Sequence, residues 1–259
     1  MPKVLIPVHF SGEPCDMKSI RKLAEEFDFK IIEDASHAVG GRFEKNPIGS
    51  CDYSDITVFS FHPVKIITTG EGGAVITNDQ EIDSRLKLFR SHGITRDTNL
   101  MELPNNDAWY YEQINLGFNY RMTDIHAALG LSQLERLSEY IEKRHEIAKI
   151  YDNSFQNTCV ALPVRSKSNL SALHLYVIQV DEAKHHHIFY GLKEKNIGVN
   201  VHYIPVHTQP YYIKLGFKWG DFPNSEAYYK RAISLPIYPM LKPSEQQYII
   251  EQVKLLCND

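Results

Sequence analysis

Ile56-Thr57-Val58-Phe59-Ser60-Phe61-His62-Pro63-Val64-Lys65 is an apolar, β-branched run that leads past a serine to a lysine. Its composition predicts a strand followed by a loop that carries Lys65. On its N-terminal side, Lys30-Ile31-Ile32-Glu33-Asp34 reads as a second strand and Val4-Leu5-Ile6-Pro7-Val8-His9 as a third. Between those two, the segment from Asp16 places Ile20, Leu23, Ala24 and Phe27 at helical spacing. On its C-terminal side, a turn-rich Thr68-Thr69-Gly70-Glu71-Gly72-Gly73 precedes a strand at Ala74-Val75-Ile76-Thr77 and a helix from about Glu81 to Ser91. Strands that alternate with helices predict an α/β fold.

Farther along, a helical pattern runs from Thr123 to about Phe155, with Ile125, Ala128, Leu129, Leu131, Leu134 and Leu137 on one face, and bridges two domains. Beyond it come a strand at Leu173 to Val180, a helix from about His185 to Lys195, a strand at Val199 to Tyr203, and helices near Ala227 and Gln246. Pro163 to Ser171 is polar and predicted to be an exposed loop. The expected division is a large domain over 1–140 and a smaller α+β domain over 141–259.

With 259 residues and 43% hydrophobic content, the chain has enough apolar material for a substantial core. A net charge of −4, from 28 basic and 32 acidic residues spread along the sequence, excludes the basic patch that nucleic acid or anionic lipid requires. No apolar run approaches the roughly 18 residues of a membrane span, and no secretory signal opens the chain, so the expected location is the cytoplasm. Cys15, Cys51, Cys159 and Cys257 lie at wide, irregular spacings, which predicts free thiols in a reducing compartment and no zinc or iron–sulfur site. His185-His186-His187 is not read as a metal site, because adjacent helical residues point in different directions.

Three features lie at strand ends, where an open α/β sheet places its ligand. Asp34 ends a strand, Lys65 follows the strand that reaches Ser60, and Gly70, Gly72 and Gly73 form a flexible turn. Taken singly, the aspartate is equally a turn former, the lysine a solvated surface residue, and the glycines a tight turn.

Taken together, Glu33-Asp34-Ala35-Ser36-His37, Ser60-x-His62-x-x-Lys65 and Glu71-Gly72-Gly73-Ala74, in that order and spacing, resemble the DegT/DnrJ/EryC1/StrS sugar aminotransferases. These are fold-type I enzymes dependent on pyridoxal 5'-phosphate (PLP). The resemblance continues through Gly117-Phe118-Asn119-Tyr120-Arg121-Met122-Thr123-Asp124 and His202-Tyr203-Ile204-Pro205-Val206-His207, and so covers essentially the whole chain. It implies a large PLP-binding domain with a mixed, mostly parallel sheet.

It also implies roles. A lysine amine holds the PLP aldehyde as a Schiff base and then moves a proton, which fits Lys65. A carboxylate beside the pyridine nitrogen keeps it protonated, which fits Asp34. Ser60 would donate its hydroxyl to the phosphate, Ser36 would lie against a ring face, His37 would sit near the cofactor edge, and Asn119 would come from the partner subunit of a homodimer with shared active sites. The stretches Asn105 to Arg121 and Val201 to Tyr212 most resemble the branch that serves pseudaminic acid synthesis. That branch aminates C4 of a UDP-linked 4-keto-6-deoxy-N-acetylhexosamine, with L-glutamate as donor, and Arg121, His202 and Tyr203 are the expected substrate contacts. No metal is expected.

The family carries, ahead of the segment matched here, a further block of about a small domain's length. That block supplies a helix N-terminus for the phosphate and an aromatic residue over the other ring face. Its absence would leave the pocket open on one side. The competing expectations are an inactive fragment that serves as a binding or dimerisation module, and an aminotransferase for a different nucleotide keto-sugar.

Overall fold

The computed structural model describes residues 2–103 and 107–258. Asn105, where one of the stretches resembling the pseudaminic acid branch begins, lies outside the described residues. The chain forms two compact units, Met1–Phe10 with Pro14–Leu137, and Ser11–Glu13 with Ser138–Asp259.

In chain order the first unit contains β1 (Val4–Leu5), α1 (Met17–Phe27), β2 (Lys30–Asp34), β3 (Arg42–Phe43), β4 (Asn46–Pro47), β5 (Ile56–Ser60) and β6 (Gly73–Ile76). They are followed by α2 (Gln80–Arg90), β7 (Ile94–Thr95), β8 (Glu112–Gln113) and α3 (Asp124–Leu134). The main sheet has the order β1-β2-β5-β6. Its first two pairings are parallel and β5 with β6 is antiparallel, so the sheet is mixed and mostly parallel, as expected. Alternation along β2 and β5 buries Ile31, Glu33, Thr57 and Phe59. Ile31 and Phe59 share a core cluster with Met17, Ala24, Ala35 and Ala38.

Helix α1 starts where Asp16 accepts the Ser19 amide at 3.1 Å, a side-chain cap worth about 1 kcal/mol. It stops at Asp28, whose left-handed φ of 50° breaks the helical repeat. The predicted strand from Val4 to His9 is shorter than expected: after Leu5, where Pro7 can donate no amide, pairing is reduced to a bridge between Val8 and Asp34.

The two outer strands have no further strand partner among the described residues, and Val4, Ile6, Val8 and Val75 are exposed. Beside β6 and α2 runs a cleft of about 1000 Å³ whose walls include Val58, Ala74, Leu86, Phe89, Phe118 and Met122.

The second unit contains α4 (Leu137–Ser154, from its second residue onward), β9 (Tyr176–Gln179), α5 (Glu182–Glu194), α6 (Pro210–Lys214), α7 (Pro223–Tyr229), β10 (Ala232–Leu235) and α8 (Pro243–Asn258). Strands β9 and β10 pair antiparallel, and Tyr151, Phe155, Tyr176, Ile178, Ile188 and Val253 are among the residues of its core. Arg144 on α4 is 4% exposed, and one of its terminal nitrogens donates to the carbonyls of Leu173 (3.0 Å), His174 (3.3 Å) and Ile237 (2.9 Å). Burial pulls its pKa down to about 10, so the guanidinium stays charged at neutral pH.

Three further expectations change. The single long helix from Thr123 is two helices, because a turn at Glu135–Arg136 closes with the Arg136 amide on the Gln133 carbonyl at 3.1 Å. The strand predicted at Val199 to Tyr203 is only a bridge between Asn200 and Ser234. The four cysteines are not all free thiols: Cys159 and Cys257, 98 residues apart in sequence, are brought to a Cα separation of 6.0 Å and form a disulfide. Cys15 and Cys51 are free. Wide sequence spacing carries no information about spatial distance once a helix returns to the start of its own unit, and the compartment inferred from four thiols loses that support.

Among the described residues no helix is long and apolar enough to cross a membrane, and no cluster of histidine, cysteine and carboxylate side chains could hold a metal ion.

Candidate active site

Asp34 and Ser60 end neighbouring parallel strands, and the register sets Asp34 opposite Val58, two residues before Ser60. Both therefore emerge at the carboxyl edge of the sheet, the edge at which α/β proteins bind ligands. Asp34 is held on both sides by main chain: its amide donates to the Pro7 carbonyl at 2.9 Å, and its carbonyl accepts the His9 amide at 3.0 Å. The Ser36 amide donates to Asp34 Oδ1 at 3.0 Å, a local turn that turns the chain away from the strand and fixes the carboxylate. His37 is buried, its ring 5.9 Å from that of Phe10.

Lys65 stands in a loop that closes on Phe61. The Phe61 carbonyl accepts the Thr69 amide at 3.0 Å and the Thr68 hydroxyl at 2.9 Å, while the Phe61 amide donates to the Gly72 carbonyl at 2.9 Å. Within the loop the Lys65 amide donates to the His62 carbonyl at 2.9 Å, and the buried Ile66 and Ile67 anchor its far side. The Lys65 amine is half-buried, and burial lowers its pKa; the nearby Asp34 carboxylate pulls it back up, but by less. An amine with a depressed pKa within electrostatic reach of a carboxylate is equipped to add to a carbonyl and to relay a proton. The Ser60 hydroxyl lies 3.5 Å from the His62 amide at the mouth of the same loop.

These groups match the chemistry of PLP. The amine would suit an aldehyde, the carboxylate a protonated ring nitrogen, and the strand-end hydroxyl a phosphate oxygen.

Asn119 and Arg121 lie on the segment ahead of α3, and Arg121 Nε donates to Asn119 Oδ1 at 3.1 Å. That segment is pinned by the Phe118 amide on the Phe89 carbonyl at 2.8 Å and the Asn119 amide on the Ser91 carbonyl at 2.9 Å. Asn119 has a positive φ of 56°, a conformation that asparagine tolerates better than most residues. A Cβ at Gly117 would collide with the Ser91 carbonyl oxygen and the Gly93 amide, both main-chain atoms with no room to yield. Gly117→Ala is therefore expected to cost about 1–3 kcal/mol and to release the Asn119–Arg121 segment. Urea denaturation, with amide exchange at Phe118 and Asn119, measures both effects.

In the second unit His202 Nδ1 and Ser234 Oγ are 2.7 Å apart, and the His202 and Tyr203 rings meet edge to face at 4.6 Å. His207 is buried, with Nε2 2.7 Å from Glu226 Oε1. Burial pushes the Glu226 carboxyl up, but hydrogen bonds from His207 and the Gly220 and Phe222 amides outweigh it and leave its pKa below the usual carboxylate value. Sequence reasoning did not single out Glu226. It also missed Glu33, although a charged residue inside an apolar strand is a signal that was available.

The spore coat polysaccharide biosynthesis protein SpsC of Bacillus subtilis is 40% identical over 97% of this chain and 66% of its own length. A UDP-4-amino-4,6-dideoxy-N-acetyl-beta-L-altrosamine transaminase of Campylobacter jejuni is 36% identical over 93% of this chain and 62% of its own length. Among solved structures, Helicobacter pylori PseC, an aminotransferase of pseudoaminic acid biosynthesis, superposes with a TM-score of 0.89 at 32% identity over 98% of this chain and 66% of its own. The chain thus spans about two thirds of the length of these relatives. With residues 2–254 matching the family model, this chain belongs to the DegT/DnrJ/EryC1/StrS aminotransferase family.

Proposed function

We propose that this chain carries the lysine half of a PLP-dependent nucleotide-sugar aminotransferase active site. The reaction is transfer of the amino group of L-glutamate to the C4 keto group of a UDP-linked 4-keto-6-deoxy-N-acetylhexosamine, carried out by a cytoplasmic homodimer with shared active sites. The observation that carries the proposal is the half-buried Lys65 amine within electrostatic reach of Asp34, which ends its strand beside that of Ser60 at the carboxyl edge of a mostly parallel sheet. Support for the substrate comes from the names of two relatives, a UDP-4-amino-4,6-dideoxy-N-acetyl-beta-L-altrosamine transaminase of Campylobacter and an aminotransferase of pseudoaminic acid biosynthesis from Helicobacter.

PLP is the cofactor of this family and supplies an electron sink for the carbon that loses or gains a proton. Lys65 holds the cofactor and moves that proton at Nζ. Asp34 keeps the ring nitrogen charged, Ser60 donates to the phosphate, Ser36 supports a ring face, and His37 borders the cofactor. Asn119 serves the partner subunit's site, and Arg121, His202 and Tyr203 hold the sugar nucleotide. The reaction divides into two half-reactions, so steady-state kinetics are ping-pong.

Titration with PLP tests the proposal. A visible absorbance band is expected, followed by its loss on addition of L-glutamate and its return on addition of the UDP-linked keto-sugar. Well-folded protein that gives no band would favour a module that only binds or dimerises.

A further inference from the structure

On the face of the sheet opposite the Asp34 carboxylate, Glu33 is 4% exposed and lies among three side chains. Its carboxylate accepts from His9 Nε2 at 2.6 Å, from Thr57 Oγ1 at 3.1 Å and from Ser54 Oγ. His9 is fully buried, and its Nδ1 accepts the Cys15 amide hydrogen at 3.1 Å. With Nδ1 accepting the Cys15 amide, the ring proton on Nε2 is donated to Glu33; burial lowers the His9 pKa, but the Cys15 and Glu33 side chains outweigh it and push the pKa up to about 9. Burial raises the Glu33 pKa, and the hydrogen bonds from His9, Ser54 and Thr57, with the charge attraction of the His9 ring, more than reverse it and leave it below the usual carboxylate value.

We propose that His9, Glu33 and Thr57 are positioning residues that fix the Asp34 carboxylate in front of Lys65. The inference rests on the reading of Asp34 and Lys65 as a functional pair. The main chain of Asp34 is bonded to Pro7 and His9, the segment that also carries the His9 ring. That segment has no strand on its outer side among the described residues, and beyond Leu5 its ladder is a single bridge at Val8. Two side-chain ties compensate: His9 to Glu33, and the Cys15 thiol donating to the Val8 carbonyl at 3.1 Å. On the other flank, Thr57 stands opposite Glu33 in the ladder and reaches the same carboxylate. The cluster therefore clamps three segments one residue before Asp34. A loosened clamp lets the Asp34 main chain drift, and its side chain moves with it.

The readout is the titration of Lys65, followed by NMR on the ¹³C-methylated lysines of the full chain, which needs no cofactor. Asp34→Asn removes the attraction and is expected to lower the Lys65 pKa. Thr57→Val alters no charge, and His9→Asn can only remove a positive one, which by itself would raise the Lys65 pKa; yet each is expected to lower it, His9→Asn by at least half as much as Asp34→Asn. Thr57→Ser restores the hydroxyl and is expected to titrate like the parent. If His9→Asn does not fold, Thr57→Val against Thr57→Ser decides. A lowered melting temperature in His9→Asn and Thr57→Val with Lys65 titrating as in the parent would overturn the proposal and leave the cluster a core-packing feature. No change in Asp34→Asn would instead remove the functional pair on which the proposal stands.

Discussion

Lys65→Ala is expected to abolish the PLP-dependent visible band and to reduce amino transfer by on the order of 10⁴-fold or more, since one side chain supplies both covalent attachment and proton movement. Borohydride treatment followed by peptide mapping should find PLP fixed at position 65 in the parent and at no specific lysine in the variant. Fixation elsewhere at equal yield would end the assignment. Ser60→Ala removes one phosphate donor and is expected to weaken PLP retention only about tenfold, the worth of one hydrogen bond to a charged group. Lys65 also carries a structural cost. Burial holds its folded pKa below its unfolded value, so the charged amine opposes folding below that folded pKa. The opposition fades as pH rises toward the ordinary lysine range. Lys65→Met should therefore be more stable than the parent at neutral pH while inactive, the signature of a residue kept for chemistry.

The second large effect belongs to the Cys159–Cys257 disulfide. It closes a loop of 98 residues and joins the segment after α4 to the last turn of α8. In the chain-entropy account, a loop of that length contributes about 4.7 kcal/mol by restricting the unfolded chain. Cys257→Ser, or reduction of the parent, is expected to lower the stability of the second unit by that amount and to leave the first unit's denaturation unchanged. Guanidinium titrations with and without reductant, followed by amide exchange in each unit, check this. The proposed cytoplasmic location adds a consequence: chain isolated under thiol-trapping conditions should carry Cys159 and Cys257 as the dithiol.

How much of this was legible from the residues depends on how local the deciding interaction is. Lys30–Asp34 and Ile56–Ser60 were readable because burial imprints a pattern on consecutive residues, whereas Asp34, Ser60 and Lys65 stood out only through the family resemblance of their motifs in order and spacing. Val199 to Tyr203 has the composition of a strand, yet only Asn200 finds a partner, a fact that resides in β10. The break at Glu135–Arg136 leaves the apolar stripe intact, so periodicity passes over it. The Cys159–Cys257 bond and the Glu33 cluster join residues 98 and 24 positions apart respectively, distances at which sequence spacing gives no geometry.

Arg144 gives the second unit a shared anchor. Three carbonyls, from Leu173, His174 and Ile237, divide one buried cation that has no carboxylate among its hydrogen-bond partners. Whichever segment lets go first abandons part of a charge that water cannot reach, so piecemeal fraying is costlier than simultaneous release. The helix and the two distant stretches it holds are thereby tied into one cooperative step, and the region loses its structure all at once or keeps it.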